Sequence, residues 1–353
     1  MSLNVEECAK ITELAGTDGA LIVTEPNRIY LTGYASTQAA IAVRADGVYY
    51  FTDKRYLSEA REKIGGGFIV REGGAGEAAA MLASCRRVGV EFDLPHGMFR
   101  QLSEKMKKTG LFSAHVRDIT PVLSKIRSVK KQSETDSMRK AQEVTDRAFS
   151  LILPYIREGV TEIELAARLE YIMQKQGATL AFDTIMAFGE NSAVPHAHRS
   201  ERALCRGDMI VMDMGARVNG YCSDMTRTVA FGEISSRRAD IYEKVLTANK
   251  NAIAELKAGV IGADVQESVK KYFASCGIEK NFTHSLGHGV GIDIHEAPYY
   301  NREPLAAGQV ITVEPGVYFD GDFGIRIEDM VKITQDGVEN LTKSDKSLII
   351  VGK

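Results

Sequence analysis

The sequence of 353 residues lacks several features that would assign it to a specialised class of protein. No apolar run approaches the ~20 residues that a membrane-spanning helix needs, so no transmembrane helix is expected. Residues 1–7 lack the basic start and apolar core of a signal peptide. The net charge is −3, without the basic excess or basic stripe that favours nucleic-acid binding. The composition therefore predicts neither a membrane nor a nucleic-acid partner.

Cysteine is also scarce. The five cysteines are odd in number and scattered, and no Cys-x-x-Cys occurs. A disulfide scaffold or a zinc knuckle is therefore not expected, and a reducing, cytoplasmic location is predicted. Cys222 lies two residues before Asp224, so strand alternation would place both on one side. The expected role of Cys222 is that of a buried structural thiol.

The chain is long enough for two domains. Residues 1–127 alternate short apolar runs with helical patterns, which predicts a small α/β domain. Within it, the pair Asp46-Gly47 between two apolar runs predicts a β-hairpin. The run Glu25-Pro26-Asn27 is typical of a turn. Residues 125–132 are basic and polar and predict a linker, so residues 128–353 are expected to form the second domain.

The order helix, helix, strands occurs twice in this second domain, over residues 133–233 and 236–342. In the first half, Thr161 and Glu164 form a capping box that predicts the start of a helix. The predicted strands cover residues 209–214, 226–231, 310–314 and 325–331. Two similar halves are expected to bring their strands together into one curved antiparallel sheet backed by helices.

Three of the seven histidines lie within twelve positions, at His284, His288 and His295. Imidazole is the commonest metal-binding side chain, and His288 lies between two glycines, so a ligand can approach it closely. The helical zinc-protease pattern His-Glu-x-x-His is excluded because position 299 is tyrosine and Pro298 would break that helix. The stretch therefore indicates a functional site of another kind.

Four acidic residues stand among apolar neighbours in strand-like runs, at Asp213, Asp224, Glu314 and Glu328. Carboxylates are seldom buried without a partner. Arg326 could be the partner of Glu328, but a bound metal compensates most economically for four carboxylates.

The chemistry of this donor set narrows the choice of metal. Carboxylates with one imidazole and no thiolate favour Mn²⁺, Fe²⁺, Co²⁺ or Zn²⁺. Four carboxylates can neutralise two divalent ions about 3.5–4 Å apart. Such ions lower the pKa of a water molecule and polarise a carbonyl, so the predicted reaction is hydrolysis of an amide.

Five sequence motifs occur in an order typical of one enzyme family. They are residues 191–196, 211–215, 223–228, 287–291 with His295-Glu296, and 313–316 with 326–329. On these motifs the chain resembles the metallopeptidases of the Xaa-Pro aminopeptidase and prolidase group, which share the pita-bread fold with methionine aminopeptidase. The resemblance covers residues 128–350 strongly and the N-terminal region more weakly, over residues 23–34. It implies an α+β protein: a pita-bread catalytic domain preceded by a smaller, creatinase-like α/β domain.

The resemblance also implies roles for individual residues. The family's metal ligands fall on Asp213, Asp224, His288, Glu314 and Glu328. Asp224 and Glu328 would bridge both ions, Asp213 would complete the shell of one ion, and His288 and Glu314 that of the other. Manganese is the expected metal, with cobalt, zinc or iron as alternatives.

The remaining site residues have less specific implied roles. Glu314 also matches the acid/base of the family, and His196 and His295 match histidines that line the substrate pocket, where they would stabilise the tetrahedral intermediate or shuttle protons. Thr226 is either a hydrogen-bond donor to a ligand carboxylate or an ordinary strand threonine. Arg326 would steady Glu328 or meet a substrate carboxylate. Packing or solvation is expected for His198 and His284, and ordinary roles for His96 and His115.

The implied activity is removal of the N-terminal residue before proline, from peptides with proline at the second position. The alternative is a strict Xaa-Pro dipeptidase; some such enzymes carry an arginine shortly after the His-Glu pair, where Tyr299 lies here. A creatinase-type hydrolase or a non-catalytic pita-bread module would lack metal carboxylates, and all five candidate ligands are present. A homodimer is implied, since dimers are common in the family.

Overall fold

The computed structural model describes residues 5–65, 67–108 and 115–352. The chain folds as two compact units, Met1–Arg127 and Ser128–Lys353. Within the described ranges, no helix is both long and apolar enough to cross a membrane.

The first unit is a mixed sheet with helices. Its described helices are α1 (Val5–Ala15), α2 (Glu25–Thr32), α3 (Leu57–Lys63), α4 (Ala75–Met81), α5 (His96–Lys108) and α6 (Thr120–Ser128). Its described strands are β1 (Gly19–Ile22), β2 (Ala39–Arg44), β3 (Gly47–Thr52), β4 (Phe68–Glu72), β5 (Val88–Val90) and β6 (Val116–Asp118). They form one sheet in the order β4-β3-β2-β1-β5-β6, with antiparallel pairs at its centre and parallel pairs toward both edges.

Two local predictions for this unit can be compared with the structure, a hairpin and a turn. The hairpin is confirmed, because β2 and β3 pair antiparallel with Arg44 opposite Gly47. The predicted turn at residues 25–27 is wrong: these residues begin α2. Proline is tolerated in the first turn of a helix, where its missing N–H needs no partner. The buried carboxylate of Glu91 accepts hydrogen bonds from the backbone N–H of Thr24 and the side chain of Asn27, which holds the start of α2. That contact spans more than sixty positions and is invisible to a local pattern.

The second unit carries the repeated pattern. Its described helices are α7 (Gln132–Ile152), α8 (Glu162–Lys175), α9 (Ser236–Glu255) and α10 (Gly262–Ser275), with short 3₁₀ helices at Leu153–Tyr155, Gly189–Ala193 and Glu279–Asn281. Its described strands are β7 (Thr179–Leu180), β8 (Ile185–Phe188), β9 (Met209–Met214), β10 (Ala216–Val218), β11 (Tyr221–Cys222), β12 (Met225–Phe231), β13 (His288–Gly289), β14 (Glu296–Tyr299), β15 (Val310–Val313), β16 (Gly316–Phe319), β17 (Phe323–Arg326), β18 (Asp329–Ile333), β19 (Val338–Asn340) and β20 (Ile350–Val351). Helix pairs α7/α8 and α9/α10 therefore each precede a set of strands.

The strands of the two halves form two main ladders instead of one continuous sheet. The first has the order β20-β12-β9-β8, and the second β14-β13-β15-β18-β19. Neighbours are antiparallel except for β12 and β20. The ladders meet where the N–H of Glu328 donates to the carbonyl of Thr226 at 3.1 Å. Each half also has its own apolar core, one over α7 and α8 and one over α9 and α10.

Two segments differ from the sequence predictions in ways that matter for the site. Residues 325–331 form two strands, since β17 ends at Arg326 and β18 begins at Asp329, which leaves Glu328 at the break. The proposed linker is structured: α6 extends to Ser128, and Val129 forms an isolated bridge with Gln309. Lys130 is buried and its Nζ lies 3.0 Å from a carboxylate oxygen of Glu296. Tertiary contacts therefore fix this polar run.

A buried ion pair joins the two ladders, and its removal is expected to destabilise the second unit. Arg227 and Asp329 are each 1% exposed and their side chains lie 2.8 Å apart. Asp329 also pairs with the ammonium group of Lys346. Asp329→Asn leaves the buried guanidinium and this ammonium group without their shared counter-charge, so the free energy of unfolding is expected to fall by about 3–5 kcal/mol. Equilibrium urea denaturation followed by far-UV circular dichroism measures the change.

The matched control is the half-exposed pair of Arg139 and Glu339, whose side chains are 33% and 41% exposed. Glu339→Gln is expected to change the free energy of unfolding by less than about 1 kcal/mol. Equal losses in both variants would contradict a special contribution from the buried pair.

Candidate metal centre and active site

Most of the predicted site residues line one cavity of about 680 Å³ in the second unit. Its lining includes Asp213, Asp224, His288, Glu314, Glu328, His196, His295 and Arg326. Thr226 is fully buried behind the cavity wall. The sequence motifs, which are spread over more than 130 positions, thus come together at one place.

Strand pairing explains why the acidic residues converge. Asp213 lies on β9, directly opposite Thr226 on β12, and Asp224 immediately precedes that strand. In the other half, Glu314 immediately follows β15 and Glu328 immediately precedes β18, and these two strands are paired. Each ladder therefore brings two carboxylates to neighbouring strand ends.

Three of the predicted ligands form a tight group. One ligand atom from each of Asp224, His288 and Glu328 can be chosen so that all lie within 4.8 Å of one another. The Nε2 atom of His288 lies 3.5 Å from Asp224 and 3.4 Å from Oε1 of Glu314. The other ring nitrogen, Nδ1, lies 3.1 Å from the carbonyl of Gly289, a contact that suits an N–H on Nδ1. The lone pair of Nε2 then faces the carboxylates, which is the arrangement that a metal ligand requires.

The pKa shifts of this group suit a site that binds divalent cations. Burial raises the pKa of Glu314 to about 7, against the opposing effect of the Arg326 charge. Burial and then the charge of Glu328 raise the pKa of Asp224 well above its usual range. For Glu328, burial and then the charge of Glu314 have the same effect. Burial lowers the pKa of His288 to about 4, which keeps its imidazole neutral at pH 7. Buried carboxylates that repel one another, next to a neutral imidazole, are a donor set that divalent cations would stabilise.

Asp213 supplies a further observation in favour of cations. Its Oδ2 accepts a hydrogen bond from Nη2 of Arg326 at 2.7 Å. Its Oδ1 is buried and has no hydrogen-bond partner among the described residues. An orphaned carboxylate oxygen beside a cavity is costly unless a cation or a water molecule satisfies it.

Hydrogen bonds hold the carboxylates in place. The hydroxyl of Thr226 donates to Oε2 of Glu328 at 2.7 Å and accepts from Nε of Arg326 at 3.0 Å. Arg326 therefore pairs directly with Asp213 and reaches Glu328 only through Thr226. Its Nη1 donates to the hydroxyl of Tyr318 at 2.8 Å and to the carbonyl of Pro195 at 3.1 Å. Arg326 was predicted to steady Glu328 or to meet a substrate carboxylate. Its guanidinium lies among the candidate ligand carboxylates and contacts Asp213 directly.

The histidines surround this group. The rings of His295 and His288 lie with centroids 4.2 Å apart, edge to face. His196, His198 and His284 also line the cavity, although only ordinary packing or solvation was predicted for His198 and His284. Nε2 of His284 lies 2.9 Å from the hydroxyl of Tyr318.

Tyr318 and Lys130 are residues near the site that no local pattern in the sequence indicates. Tyr318 lies on β16 in an apolar run, where the pattern is typical of a core aromatic, and nothing local reveals that its hydroxyl joins Arg326 to His284. Lys130 was assigned to a polar linker, although its buried ion pair with Glu296 holds the residue after His295. The predicted structural thiol fits: Cys222 is fully buried, and burial raises its pKa to about 12.

Residues 136–335 match the sequence model of metallopeptidase family M24, so the chain belongs to this family and is a metallopeptidase. Residues 5–129 match the creatinase/prolidase N-terminal domain. A Xaa-Pro dipeptidase of Pyrococcus horikoshii is 32% identical over 354 residues, covering 99% of each chain.

Solved structures show the same likeness. A Xaa-Pro dipeptidase from Bacillus anthracis is 35% identical with a TM-score of 0.91, covering 98% of this chain and 99% of its own. An X-Pro aminopeptidase from Thermotoga maritima is 34% identical with a TM-score of 0.88, covering 97% of this chain and all of its own. The predicted family and the predicted α+β pita-bread fold with a creatinase-like N-terminal domain are confirmed.

Proposed function

We propose that this chain is a dinuclear-metal-dependent Xaa-Pro aminopeptidase, which hydrolyses the bond between an N-terminal residue and a following proline. The observation that carries the proposal is the cluster of Asp224, His288 and Glu328, with Asp213 and Glu314 in the same cavity. The names of the relatives from Pyrococcus horikoshii, Bacillus anthracis and Thermotoga maritima support the choice of proline peptides.

Two divalent ions would balance the four carboxylates. Asp213, Asp224, His288, Glu314 and Glu328 would hold these ions. The short distances from His288 to Asp224 and to Glu314 support a common site for these donors. Manganese is the proposed metal, with cobalt, zinc and iron as alternatives that suit the same donors. When bound, such ions supply a nucleophile at neutral pH and polarise the scissile carbonyl.

The other residues act on the substrate. Glu314 is proposed to hold and deliver the proton that the leaving nitrogen takes up. His196 and His295, both on the cavity wall, are proposed to donate hydrogen bonds to the carbonyl oxygen as negative charge develops on it, or to move protons. Arg326 and Thr226 keep Asp213 and Glu328 oriented through the bonds described above.

A second candidate function is that of a strict Xaa-Pro dipeptidase. Two of the three relatives described above carry this name. Tyr299 stands on the cavity wall, 50% exposed, and carries no charge for the free carboxylate of a dipeptide. We therefore expect Xaa-Pro-Yaa tripeptides to be cleaved with a higher kcat/KM than the matching Xaa-Pro dipeptides.

Steady-state kinetics with paired substrates such as Ala-Pro and Ala-Pro-Ala, each with Mn²⁺, Co²⁺ and Zn²⁺, test this expectation. The control is Ala-Ala-Ala, which lacks proline and should be a poor substrate. Preference for the dipeptide would assign the chain to the dipeptidases. If neither proline peptide were cleaved with any of the three metals, the proposed function would be contradicted.

The proposed location of the enzyme is the cytoplasm. Its five cysteines are all free thiols, which suits a reducing cytoplasm. A homodimer is proposed from the family resemblance, and light scattering coupled to size-exclusion chromatography would measure it. Peptides are the proposed partners, and neither a nucleic acid nor a membrane is proposed.

A further inference from the structure

One buried carboxylate outside the metal cluster holds the segment that carries His196. Glu162 is the first residue of α8 and is fully buried. Its Oε1 accepts hydrogen bonds from the N–H of Phe188 at 2.8 Å and from Nδ2 of Asn191 at 3.0 Å. Its Oε2 accepts from the N–H and the hydroxyl of Ser200 at 2.9 and 2.6 Å. These donors and the positive end of the helix dipole both favour a negative charge at this position.

The donors bracket a segment that has little backbone support of its own. Residues 189–200, which we call the His196 segment, begin as a 3₁₀ helix at Gly189–Ala193 and continue without regular secondary structure. Phe188 and Asn191 mark its start and Ser200 its end. The carbonyl of Pro195 also accepts a hydrogen bond from Arg326. A backbone hydrogen bond from the N–H of Ile163 to the carbonyl of Ser200, at 3.2 Å, also holds the end of the segment. Because no strand ladder fixes residues 194–200, the position of His196 otherwise depends on such side-chain contacts.

We propose that Glu162 is a positioning residue for His196: one carboxylate ties both ends of the His196 segment and so sets where the imidazole stands in the cavity. The inference rests on the proposed function, in which His196 acts on the substrate. A carboxylate suits this role because both oxygens only accept hydrogen bonds. A glutamine would turn its NH₂ group toward either Phe188 or Ser200, whose N–H groups are donors as well.

Glu162→Gln is therefore expected to lower kcat for a proline tripeptide by about 10–10²-fold, the range that a small misplacement of a catalytic group costs. KM and bound metal should change less than twofold, since Glu162 contacts none of the proposed ligands. The matched control is Glu164→Gln, two positions along the same helix, where the carboxylate is exposed and caps Thr161. This control should keep kcat within twofold of wild type.

A double-mutant cycle separates positioning from a general loss of structure. If Glu162 acts through His196, then Glu162→Gln should cause no further fall in kcat in a His196→Ala background. Hydrogen–deuterium exchange on the metal-free protein gives a readout independent of activity. Peptides that cover residues 189–200 should exchange faster in Glu162→Gln, and peptides from α9 should not.

Ser200→Ala provides a second variant if Glu162→Gln folds poorly. It removes one donor to Glu162, together with the hydroxyl oxygen that accepts from Nδ2 of Asn191 and from the N–H of Arg202. It should lower kcat by a smaller factor, again only when His196 is present. Three results would each overturn the positioning role. The first is a wild-type kcat in Glu162→Gln, and the second is the same fold-loss of kcat from Glu162→Gln in the His196→Ala background as in the wild type. The third is unchanged hydrogen–deuterium exchange of residues 189–200. Absence of Xaa-Pro cleavage by the wild type would instead overturn the proposed function, and exchange would still decide whether Glu162 holds the segment.

Discussion

Asp224→Asn is expected to abolish metal-dependent turnover without unfolding the protein. The carboxylate is 5% exposed and lies in the group with His288 and Glu328. An amide offers one neutral oxygen in place of a shared negative charge, so kcat should fall by more than about 10²-fold, the upper end of the cost of losing a residue that merely supports a ligand. Inductively coupled plasma mass spectrometry of the purified variant should show less metal per chain than the wild type.

Thermal melting tests the same substitution without an activity assay. In the metal-free protein, burial and the charge of Glu328 raise the pKa of Asp224, so the ionised carboxylate is unfavourable there. The neutral asparagine should melt no lower than metal-free wild type. Added Mn²⁺ should stabilise wild type, by about 2.7 kcal/mol at a hundred times the dissociation constant of a single site, and the variant much less.

The control for this substitution is Asp240→Asn on the exposed face of α9, where Asp240 pairs with Lys244. It should keep wild-type kcat and the full stabilisation by Mn²⁺. If Asp224→Asn kept the wild-type rate, the assignment of Asp224 as a metal ligand would be wrong.

His295→Ala should lower kcat by roughly 10²–10⁴, the range for loss of a group that transfers protons. The imidazole lines the cavity beside the His288 ring but is not among the proposed ligands. Metal content should therefore stay at the wild-type level, which distinguishes a catalytic loss from a metal-binding loss. Single-turnover and steady-state rates with a proline tripeptide measure the effect.

Two further variants sharpen the result. His295→Gln retains a hydrogen-bond donor but cannot shuttle a proton, so partial recovery of kcat relative to alanine favours stabilisation of the carbonyl oxygen. His96→Ala, on the exposed face of α5 in the first unit, should leave kcat unchanged. Wild-type kinetics in His295→Ala would reduce His295 to part of the cavity wall.

Local signals in the sequence located the four α-helices and the central strands of both main ladders in the second unit. The capping box of Thr161 and Glu164 marks the start of α8, and its reciprocal hydrogen bonds are present. Where local signals failed, a distant residue had decided the outcome. Glu91 holds the start of α2 at a predicted turn, and a hydrogen bond from Glu328 to Thr226 lies at the break in a predicted single strand.

The candidate site shows the same division. Asp213, Asp224, Glu314 and Glu328 were identified because charged residues in apolar strand-like runs need a partner, and His288 because of its glycine neighbours. The bonding of Arg326 could not be predicted, because Asp213 and Thr226 reach it only through pairing between strands far apart in sequence. Tyr318 was missed for the same reason.

The sequence by itself determined the family, the repeated order of helices and strands in the second unit, and the residue types of the candidate metal ligands. Motifs and residue types are properties of short stretches. Only the tertiary structure decided which atoms face one another. In the folded chain Arg326 pairs with Asp213, while Oδ1 of Asp213 has no hydrogen-bond partner among the described residues. Both ends of the His196 segment are hydrogen-bonded to Glu162. Those contacts depend on the register between strands and on helix packing, which are properties of the whole fold and of no single stretch.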